Sequence, residues 1–400
     1  MTDGANDGGT ERQRTDELAR LATDHGRLAI DTEFVSERRY QALLCLVQVA
    51  VSDPGGPDGV RTEVLDPLDD TRPLDAAPLA AVLADPDVEI VVHSGRQDIA
   101  ILRRTWRTEI ANVFDTQIAA GFLGMGNQEG YESLTRRVLG VQLRGGEGFT
   151  RWDKRPLTER QLSYAADDAR CLLTLGETIT RQLADVGRLE WAREECHVVE
   201  RSTDERSPRR AYERLPNLRR LDAAQRAVAW RLCEWREAAA RELDRPPSYL
   251  IPDQALMQLA KRRPADKHGL EQIRGLPQQT LHRRGREVLD AIAAAAGDEA
   301  IDAPPAPAQR EASEAPVVSL AQALVRHRSR EHKVATELIA TQSELMAVVA
   351  ALRRGEDPDG IRVLQGWRHE LVGAELRALV DGRLAMSVAP DGSLLVEQTD

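Results

Sequence analysis

The sequence predicts an α/β domain with a mixed β-sheet, followed by purely α-helical domains. Strand-like apolar runs alternate with helical patterns through about the first 200 of the 400 residues, whereas the pattern after residue 221 is helical. A segment rich in Ala, Pro and acidic residues then interrupts the helices at 297–316. Because a domain usually holds about 50 to 250 residues, this length suits two or three domains.

The first domain contains five predicted strands. A helix near 15–25 leads into three of them, which are separated by polar or Pro/Gly segments as in a meander. A helix near 75–84 comes before the fourth strand, and the region 115–195 is mainly helical. The strands are GRLAIDTEFVS (26–36), QALLCLVQVAVS (41–52), RTEVLDPL (61–68), VEIVVHS (88–94) and NVFDTQ (112–117). We therefore predict one α/β domain at 13–200, preceded by a disordered tail at 1–12.

The helical part of the chain divides at residues 297–316, whose composition is typical of a linker. Before this segment, four helical runs separated by Pro and Gly predict a helical domain at 213–295. After it, 317–355 is helical again, and a helix and a terminal hairpin end the chain. We therefore expect a further helical domain at 317–400.

The composition favours a cytoplasmic protein without a membrane segment. The longest apolar runs, such as ALLCLVQVAV at 42–51, are shorter than the about 20 residues that a membrane-spanning helix needs. The polar, acidic N-terminus lacks the basic and apolar regions of a secretory signal. The four cysteines have no CxxC spacing and are expected to be reduced core thiols: Cys45, Cys171, Cys196 and Cys233.

The net charge of −11 is unevenly distributed along the chain. Residues 1–200 carry 35 acidic against 23 basic side chains, whereas residues 201–300 carry 20 basic against 15 acidic ones. The overall sign argues against a protein covered with nucleic acid. The middle part of the chain is nevertheless where we expect a polyanion to bind.

Acidic residues stand at two places where burial or a helix end affects their charge. Asp31 and Glu33 lie two apart on a predicted strand, so both side chains leave the same face of the sheet. Burying them there is costly unless a cation or a partner neutralises them. Asp98 opens a helix, whose N-terminus favours a negative charge. Taken singly, each feature is also typical of an ordinary solvated acid.

The segment SYAADDARCLL at 163–173 places two aspartates side by side in a predicted helix. Thr158 and Gln161 have the spacing of a capping box, which predicts the helix start. At about 100° per residue, Asp168 lies at the border of the apolar stripe and shares a face with Tyr164. Asp167 points away from that stripe, so we expect it to be a solvated surface acid.

A cluster of four carboxylates would supply the hard oxygen ligands that two divalent cations, Mg²⁺ or Mn²⁺, require. Such a pair of ions activates a water molecule and stabilises the leaving oxygen during phosphodiester cleavage. The hydroxyl of Tyr164 would orient the attacking water or help to remove its proton. The predicted ligands are Asp31, Glu33, Asp98 and Asp168.

Three motifs, in this order, resemble the tyrosine-bearing branch of the DEDD exonucleases, and most closely the ribonuclease D family. The motifs are DTEFVSERRYQALLCLVQVA (31–50), HSGRQDIAIL (93–102) and WDKRPLTERQLSYAADD (152–168). The resemblance implies a ribonuclease H-like exonuclease fold in which Asp31, Glu33, Asp98, Tyr164 and Asp168 are catalytic. It also implies a monomeric, metal-dependent 3′–5′ exoribonuclease that releases 5′-monophosphates from RNA with a free 3′ end, such as tRNA precursors.

The region 213–295 is similar to the helicase-and-ribonuclease-D C-terminal (HRDC) domain, an accessory nucleic-acid-binding module. The similarity implies phosphate contacts by basic residues on its surface, or else an ordinary solvated helical face. A second HRDC-like domain is expected at 317–400. The candidate residues are Lys261, Arg262, Arg263, Lys267, Arg283 and Arg284, with His282 and Arg286 beside them.

A Gly-rich, basic segment, RGGEGFTRWDKRP at 144–156, comes just before the Tyr164 helix. It suits a loop that contacts a single strand near the active site, through Arg151, Trp152 and Lys154. For Trp152, stacking on a base and anchoring the loop in the domain are equal alternatives.

Two other functions use the same sequence features. A 3′–5′ exodeoxyribonuclease would keep the four acids and the tyrosine but act on DNA. A non-catalytic nucleic-acid-binding protein would carry a decayed site, which the presence of all five motif residues disfavours.

Overall fold

A computed structural model describes residues 11–126, 128–143, 150–298, 301–302 and 314–399. Its first part is built on a five-stranded mixed sheet with the strand order β3-β2-β1-β4-β5. Strand β1 pairs antiparallel with β2 and parallel with β4, which confirms the predicted α/β fold class. The strands are β1 (Arg27–Val35), β2 (Leu43–Ser52), β3 (Val60–Leu65), β4 (Glu89–Val92) and β5 (Val113–Asp115).

Within the described ranges, seven α-helices accompany this sheet. They are α1 (Glu11–His25), α2 (Ala77–Leu83), α3 (Arg96–Trp106), α4 (Thr116–Gly121), α5 (Tyr131–Leu139), α6 (Glu159–Asp185) and α7 (Leu189–Glu200). Residues 1–10 of the predicted tail lie outside the described residues. Residues 11 and 12 are helical, which corrects the tail prediction, because α1 packs Leu18 and Leu21 into the core.

The predicted helical region 115–195 is interrupted between α5 and α6. Helix α5 ends at Gly140, whose φ of 69° is a left-handed conformation that favours glycine. The next helix begins only at Glu159, and residues 144–149 lie outside the described part of the chain. Residues 150–156 of the predicted loop lie between the two helices.

The two faces of the sheet carry different side chains. Leu28 and Ile30 of β1 lie in a core with residues of α1 and α3, whereas Ala29 lies in a cluster with Ala169 of α6. A Cβ atom at Gly176 of α6 would stand only 2.6 Å from Cγ1 of Val91. Glycine therefore lets α6 lie directly on the sheet, on the face that also carries Asp31 and Glu33.

The middle part of the chain is all-α, as predicted. Its buried apolar residues form one core between residues 212 and 295, to which Tyr40 of the first domain also belongs. The helices are α8 (Pro208–Glu213), α9 (Ala223–Glu242), α10 (Pro247–Leu250), α11 (Asp253–Arg262), α12 (Lys267–Glu271) and α13 (Gln278–Ala294).

The last part of the chain packs directly on the first domain. Residues of both parts form one hydrophobic core. The second HRDC-like domain at 317–400 remains a prediction. Most of the predicted linker lies outside the described residues, and its last two positions belong to a helix. The elements are α14 (Ala315–His332), α15 (Thr336–Ile339), α16 (Gln342–Arg353), α17 (Gly366–Arg368), α18 (Ala374–Val380), β6 (Leu384–Val388) and β7 (Leu394–Gln398).

Trp367 is the centre of this contact between the last part and the first domain. Its ring lies 5.1 Å from that of Phe122 and 5.3 Å from that of Trp191, measured between centroids. Beside it, Arg368 is almost fully buried and forms an ion pair with Glu195. A buried charge is costly unless it is paired. The contact between the two parts is therefore favourable only in an orientation that brings Glu195 to Arg368.

Tyr40 anchors the middle domain to the turn that follows the first strand. Its side chain is 3% exposed, and its hydroxyl donates a hydrogen bond to Glu237 Oε2 at 3.0 Å. The guanidinium groups of Arg206 and Arg241 lie 5.4 and 5.6 Å from its ring centroid. Its backbone N–H donates to Asp244 at 3.1 Å. The turn between β1 and β2 is thus held by the helical domain.

Two of the sequence expectations about compartment concern membrane-spanning helices and the state of the cysteines. None of the helices in the described ranges has both the length and the apolar character needed to span a membrane. All four cysteines are unpaired, and three of them are buried.

Replacing Tyr40 by Ala should destabilise the contact between the two domains. We expect the free energy of unfolding of the middle domain to fall by about 3 kcal/mol, because a buried aromatic side chain is lost. Tyr40→Phe should cost about 2 kcal/mol, since it keeps the ring but removes the hydrogen bond to the buried carboxylate of Glu237. Urea denaturation followed by circular dichroism measures both changes.

Tyr249→Ala is the matched control. This tyrosine belongs to the middle domain, whose unfolding is measured, but its side chain is 55% exposed. Its effect should stay within about 0.5 kcal/mol. Equal losses for Tyr40→Ala and Tyr249→Ala would contradict the anchoring role of Tyr40.

Candidate active site

Strand β1 brings two of the four predicted acids to the sheet face beneath α6. Asp31 stands directly opposite Gln48 of β2, and Glu33 stands opposite Leu46. The register shifts immediately after Glu33, which marks a β-bulge. Both acids are half-buried, as expected for side chains that leave the same strand face toward a covering helix.

Asp98 reaches the same strand from the first turn of α3. The pairing of β1 with β4 ends where Ala29 meets Val91, so the edge of β1 beyond this point is open toward α3. The hydroxyl of Thr32 donates a hydrogen bond to the Asp98 carboxylate, which is 9% exposed. The side chain between the two acids of β1 therefore holds the third acid.

A buried aspartate outside the predicted set shapes the turn before α3. Asp115 accepts hydrogen bonds from the backbone N–H groups of Ser94 and Gly95, at 3.0 and 2.9 Å. It also caps α4 by accepting from the N–H of Gln117 at 2.9 Å. This residue positions the N-terminus of α3, and hence Asp98. The sequence interpretation missed it because its partners come from a different part of the chain.

Helix α6 carries the last two predicted residues. Both hydrogen bonds of the predicted capping box are present: Gln161 N–H donates to Thr158 Oγ1, and Thr158 N–H donates to the Gln161 side chain. Asp168 is 6% exposed and accepts a hydrogen bond from the hydroxyl of Tyr164. Asp167 forms an ion pair with Arg170 at 2.6 Å on the more exposed side. The two aspartates thus occupy the environments that the helical period predicts.

The four acids are close enough to affect one another's ionisation. Burial, followed by the charges of Asp98 and Asp168, raises the pKa of Asp31 well above its ordinary value. Burial and the charges of the other three acids raise the pKa of Glu33 to about 9. Burial also raises the pKa of Asp98 and of Asp168 to about 6 in each case. Ionisation of all four together is therefore unfavourable without a neutralising cation.

The chemistry of these donors fits a hard divalent cation. Four carboxylates without a nitrogen or sulfur ligand suit Mg²⁺ or Mn²⁺. Throughout the described ranges, no group of three or more His, Cys, Asp or Glu side chains is already positioned to hold an ion. Two of the carboxylates instead accept hydrogen bonds from Thr32 and Tyr164. The fit therefore rests on donor type and on the mutual repulsion of the acids.

Gln48 is a further polar residue on this face that the sequence interpretation missed. It is completely buried, and neither atom of its amide group has a hydrogen-bond partner within the described part of the protein. The feature of the sequence that could have identified Gln48 is a single amide within the otherwise apolar run LLCLVQVAV at 43–51.

The position of Trp152, in the loop before α6, contradicts one predicted nucleic-acid contact. Trp152 is 2% exposed and packs with Cys45, Leu46 and Ala165, so its ring cannot stack on a base in this structure. Of the two alternatives, anchoring of the loop is the one that the burial of Trp152 supports. Its ring centroid lies 6.4 Å from that of Tyr164. The buried ring thus also supports the tyrosine of the site.

The two basic neighbours of Trp152 have exposed side chains. Arg151 forms an ion pair with Asp153 at 2.8 Å, and Lys154 is exposed. Phosphate contact by Arg151 would therefore compete with this pair, whereas the side chain of Lys154 is accessible from solvent.

The basic residues predicted in the middle domain differ in their surroundings. Arg284 is only 17% exposed and forms ion pairs with Glu242 and Glu287, so its charge is already compensated and the prediction of a phosphate contact there is disfavoured. The other predicted residues are exposed, at the junction of α11 and α12 or on α13. They are Lys261, Arg262, Arg263, Lys267 and Arg283.

Comparisons with known proteins agree with this architecture. A family profile described as 3′–5′ exonuclease matches residues 10–184, and the HRDC domain profile matches residues 225–292. The crystal structure of Escherichia coli RNase D, described as an exoribonuclease involved in structured RNA processing, superposes with a TM-score of 0.77 at 27% identity. The superposition covers 92% of this chain and 97% of that one.

Relatives of known family resemble the chain over nearly its whole length. Ribonuclease D of Gluconacetobacter diazotrophicus is 34% identical, over 90% of this chain and 89% of its own. Ribonuclease D of Granulibacter bethesdensis is 36% identical, over 94% of this chain and 93% of its own. The chain therefore belongs to the ribonuclease D family of 3′–5′ exoribonucleases.

Proposed function

We propose that this protein is a divalent-metal-dependent exoribonuclease that removes 5′-monophosphates one at a time from the 3′ ends of RNA. One observation carries the proposal. Asp31, Glu33, Asp98 and Asp168, from a strand and two helices, lie close to one another near Tyr164. Burial opposes the ionisation of all four, and repulsion within the group adds to this for Asp31 and Glu33. Such a cluster is expected where two cations act on a phosphodiester.

The residues proposed to hold the metal ions are Asp31, Glu33, Asp98 and Asp168. When bound, the ions would supply activation of a water molecule and charge stabilisation at the phosphate and the leaving 3′ oxygen. The surrounding protein holds these acids in place. Thr32 orients Asp98, and α6 holds Asp168 over the strand.

Tyr164 is proposed to orient the attacking water. Burial, followed by the charge of Asp168, raises its pKa above the ordinary value of a phenol. The hydroxyl therefore keeps its proton. It donates this proton to Asp168, and its oxygen can accept a hydrogen bond from the water. This favours an orienting role over removal of a proton from the water, which were the two roles that the sequence left open.

Structured RNA with a free 3′ end, including tRNA precursors, is the proposed substrate. Support comes from the family and from the similar E. coli enzyme, an exoribonuclease involved in structured RNA processing. The HRDC domain would hold the body of the RNA through exposed basic residues, while the 3′ end enters the exonuclease site. A cytoplasmic monomer is part of the proposal, and the unpaired cysteines support a reducing compartment.

The central test offers 3′-extended tRNA, single-stranded RNA and single-stranded DNA, each with Mg²⁺, Mn²⁺ or chelator. We expect the RNAs to be shortened from the 3′ end with release of 5′-monophosphates, and only with metal present. Asp31→Asn and Asp168→Asn should lower the rate by more than about 100-fold, because each removes a metal ligand. Gel analysis of end-labelled RNA and chromatography of the products measure these outcomes.

Asp167→Asn is the matched control, because this neighbour pairs with Arg170 outside the cluster and should leave most activity intact. Equal loss from Asp167→Asn and Asp168→Asn would contradict the assignment of Asp168. Preferential digestion of DNA would favour an exodeoxyribonuclease instead. Binding of RNA without hydrolysis would favour a non-catalytic protein.

Glu33→Gln should stabilise the metal-free protein in a pH-dependent way. The raised pKa of Glu33 means that folding favours its neutral form, so the parent loses stability as pH rises from about 4.5 toward about 9. The variant does not ionise there, and at pH 8 its advantage should be about 1 to 2 kcal/mol. Thermal unfolding in chelator between pH 5 and pH 8 measures the difference.

Glu37→Gln serves as the control, because Glu37 is exposed in the turn after β1 and should show no such trend. Saturating Mg²⁺ should remove the advantage of Glu33→Gln, since the cation neutralises the cluster. A constant difference between parent and variant at every pH would contradict the proposed repulsion.

Replacing Lys261, Arg263 and Lys267 together by Ala should weaken RNA binding. Each lost phosphate contact is expected to reduce the slope of log affinity against log salt concentration by about 1. Fluorescence anisotropy with an inactive Asp31→Asn background measures both quantities. Arg284→Ala is the contrasting variant and should change the slope little, because its charge is already paired. An unchanged slope in the triple variant would refute these contacts.

A further inference from the structure

Gln48 is a buried amide that the proposed chemistry does not use. It lies in the middle of β2 and is 0% exposed, and within the described residues neither Nε2 nor Oε1 has a hydrogen-bond partner. An unpaired buried polar group costs about 1 to 3 kcal/mol. An amide at such a position indicates a hydrogen-bond partner that it does not contact in this arrangement of the described residues.

The strand register places this amide beside one of the four acids. Gln48 stands directly opposite Asp31 in the antiparallel pair of β1 and β2. Side chains of directly opposed residues leave the same face, with Cβ atoms about 4.5 to 5.5 Å apart. The amide of Gln48 is thus within reach of the carboxylate of Asp31.

The neighbours on this face show that the amide lies in a dry environment. Leu46 lies in a buried cluster with Ala165 of α6, and Ala50 lies in one with Ala169. Gln48 alternates with Leu46 and Ala50 along the strand, so it is enclosed between the sheet and the turn of α6 that carries Asp168. In such an environment a hydrogen bond to a charged group is strong.

A carboxylate that binds a cation commonly needs a second contact to keep its orientation. Groups that hydrogen-bond to metal ligands in this way commonly affect metal affinity by about 10- to 100-fold. Thr32 supplies such a contact for Asp98, and Tyr164 supplies one for Asp168. The carboxylate of Asp31 stands opposite the buried amide of Gln48, which has no hydrogen-bond partner among the described residues.

We propose that Gln48 is a positioning residue whose Nε2 group donates a hydrogen bond to Asp31 and orients this carboxylate for metal binding. This inference rests on the proposed function, since it requires Asp31 to be a metal ligand. It assigns to β2 a part in the site, beside the residues of β1, α3 and α6.

The test is Mn²⁺ binding to Gln48→Leu in the full-length protein, measured by titration calorimetry. We expect the dissociation constant to rise about 10- to 100-fold. The lost nuclease activity should return when the Mn²⁺ concentration is raised, whereas that of Asp31→Asn should not. In chelator the variant should melt at the same or a higher temperature, because an unpaired buried amide has been removed.

Thr62→Val is the matched control for this experiment. Thr62 stands opposite Ala50 on the neighbouring strand, and its buried Oγ1 has no hydrogen-bond partner in the described part of the chain. It should leave Mn²⁺ binding unchanged. Gln48→Met, which keeps the length of the side chain, replaces Gln48→Leu should the latter not fold.

Three results would overturn the inference. An unchanged Mn²⁺ dissociation constant in both Gln48 variants would show that the amide does not act on the metal ligand. A lower melting temperature in chelator with unchanged Mn²⁺ binding would show a purely structural role. Failure of the parent protein to bind Mn²⁺ would contradict the proposed function itself. This result is seen in the parent protein, whereas the first two are seen only in the variants.

Discussion

Close packing of helix α6 on the sheet is the constraint on which the rest of this structure depends. The helix can lie this low because Gly176 has no side chain, where a Cβ atom would stand 2.6 Å from Val91. Small residues on both sides continue the contact toward the site, including Ala29, Ala50 and Ala169. Asp168 lies just over two turns before Gly176, so the same contact brings it onto the strand that carries Asp31. A helix held further from the sheet would separate the acids.

The other end of α6 connects the site to the last part of the chain. Leu175, Ile179 and Leu183 belong to the large core that also contains Trp367 and Leu338 of the C-terminal helices. The position of α6 therefore depends on residues more than 150 positions further along the chain. For this reason the C-terminal part is a component of the exonuclease core, in addition to any role in binding RNA.

The site is held together against electrostatic repulsion. The charges of the neighbouring acids raise the pKa of Asp31 and of Glu33, and in a looser protein these side chains would move apart or turn into solvent. The backbone of β1, the N-terminus of α3 and the capped helix α6 hold them instead, with help from Asp115 and Thr32. This is the usual relation between stability and function at an active site, where the scaffold supports an arrangement that is unfavourable in the absence of its ligand.

The sequence by itself determined the elements and the chemical groups of the site. Periodicity predicted the mixed sheet and the different environments of Asp167 and Asp168, and the capping-box spacing of Thr158 and Gln161 predicted the start of α6. These features depend on local geometry. The tertiary structure decided what depends on distant partners: the burial of Trp152, the ion pairs of Arg284, the anchoring of Tyr40 in the middle domain and the burial of Gln48, whose amide has no partner in the part of the chain that the structure describes. A residue's neighbours across the fold set its burial and its charge balance, and those neighbours are not encoded in any short stretch of sequence.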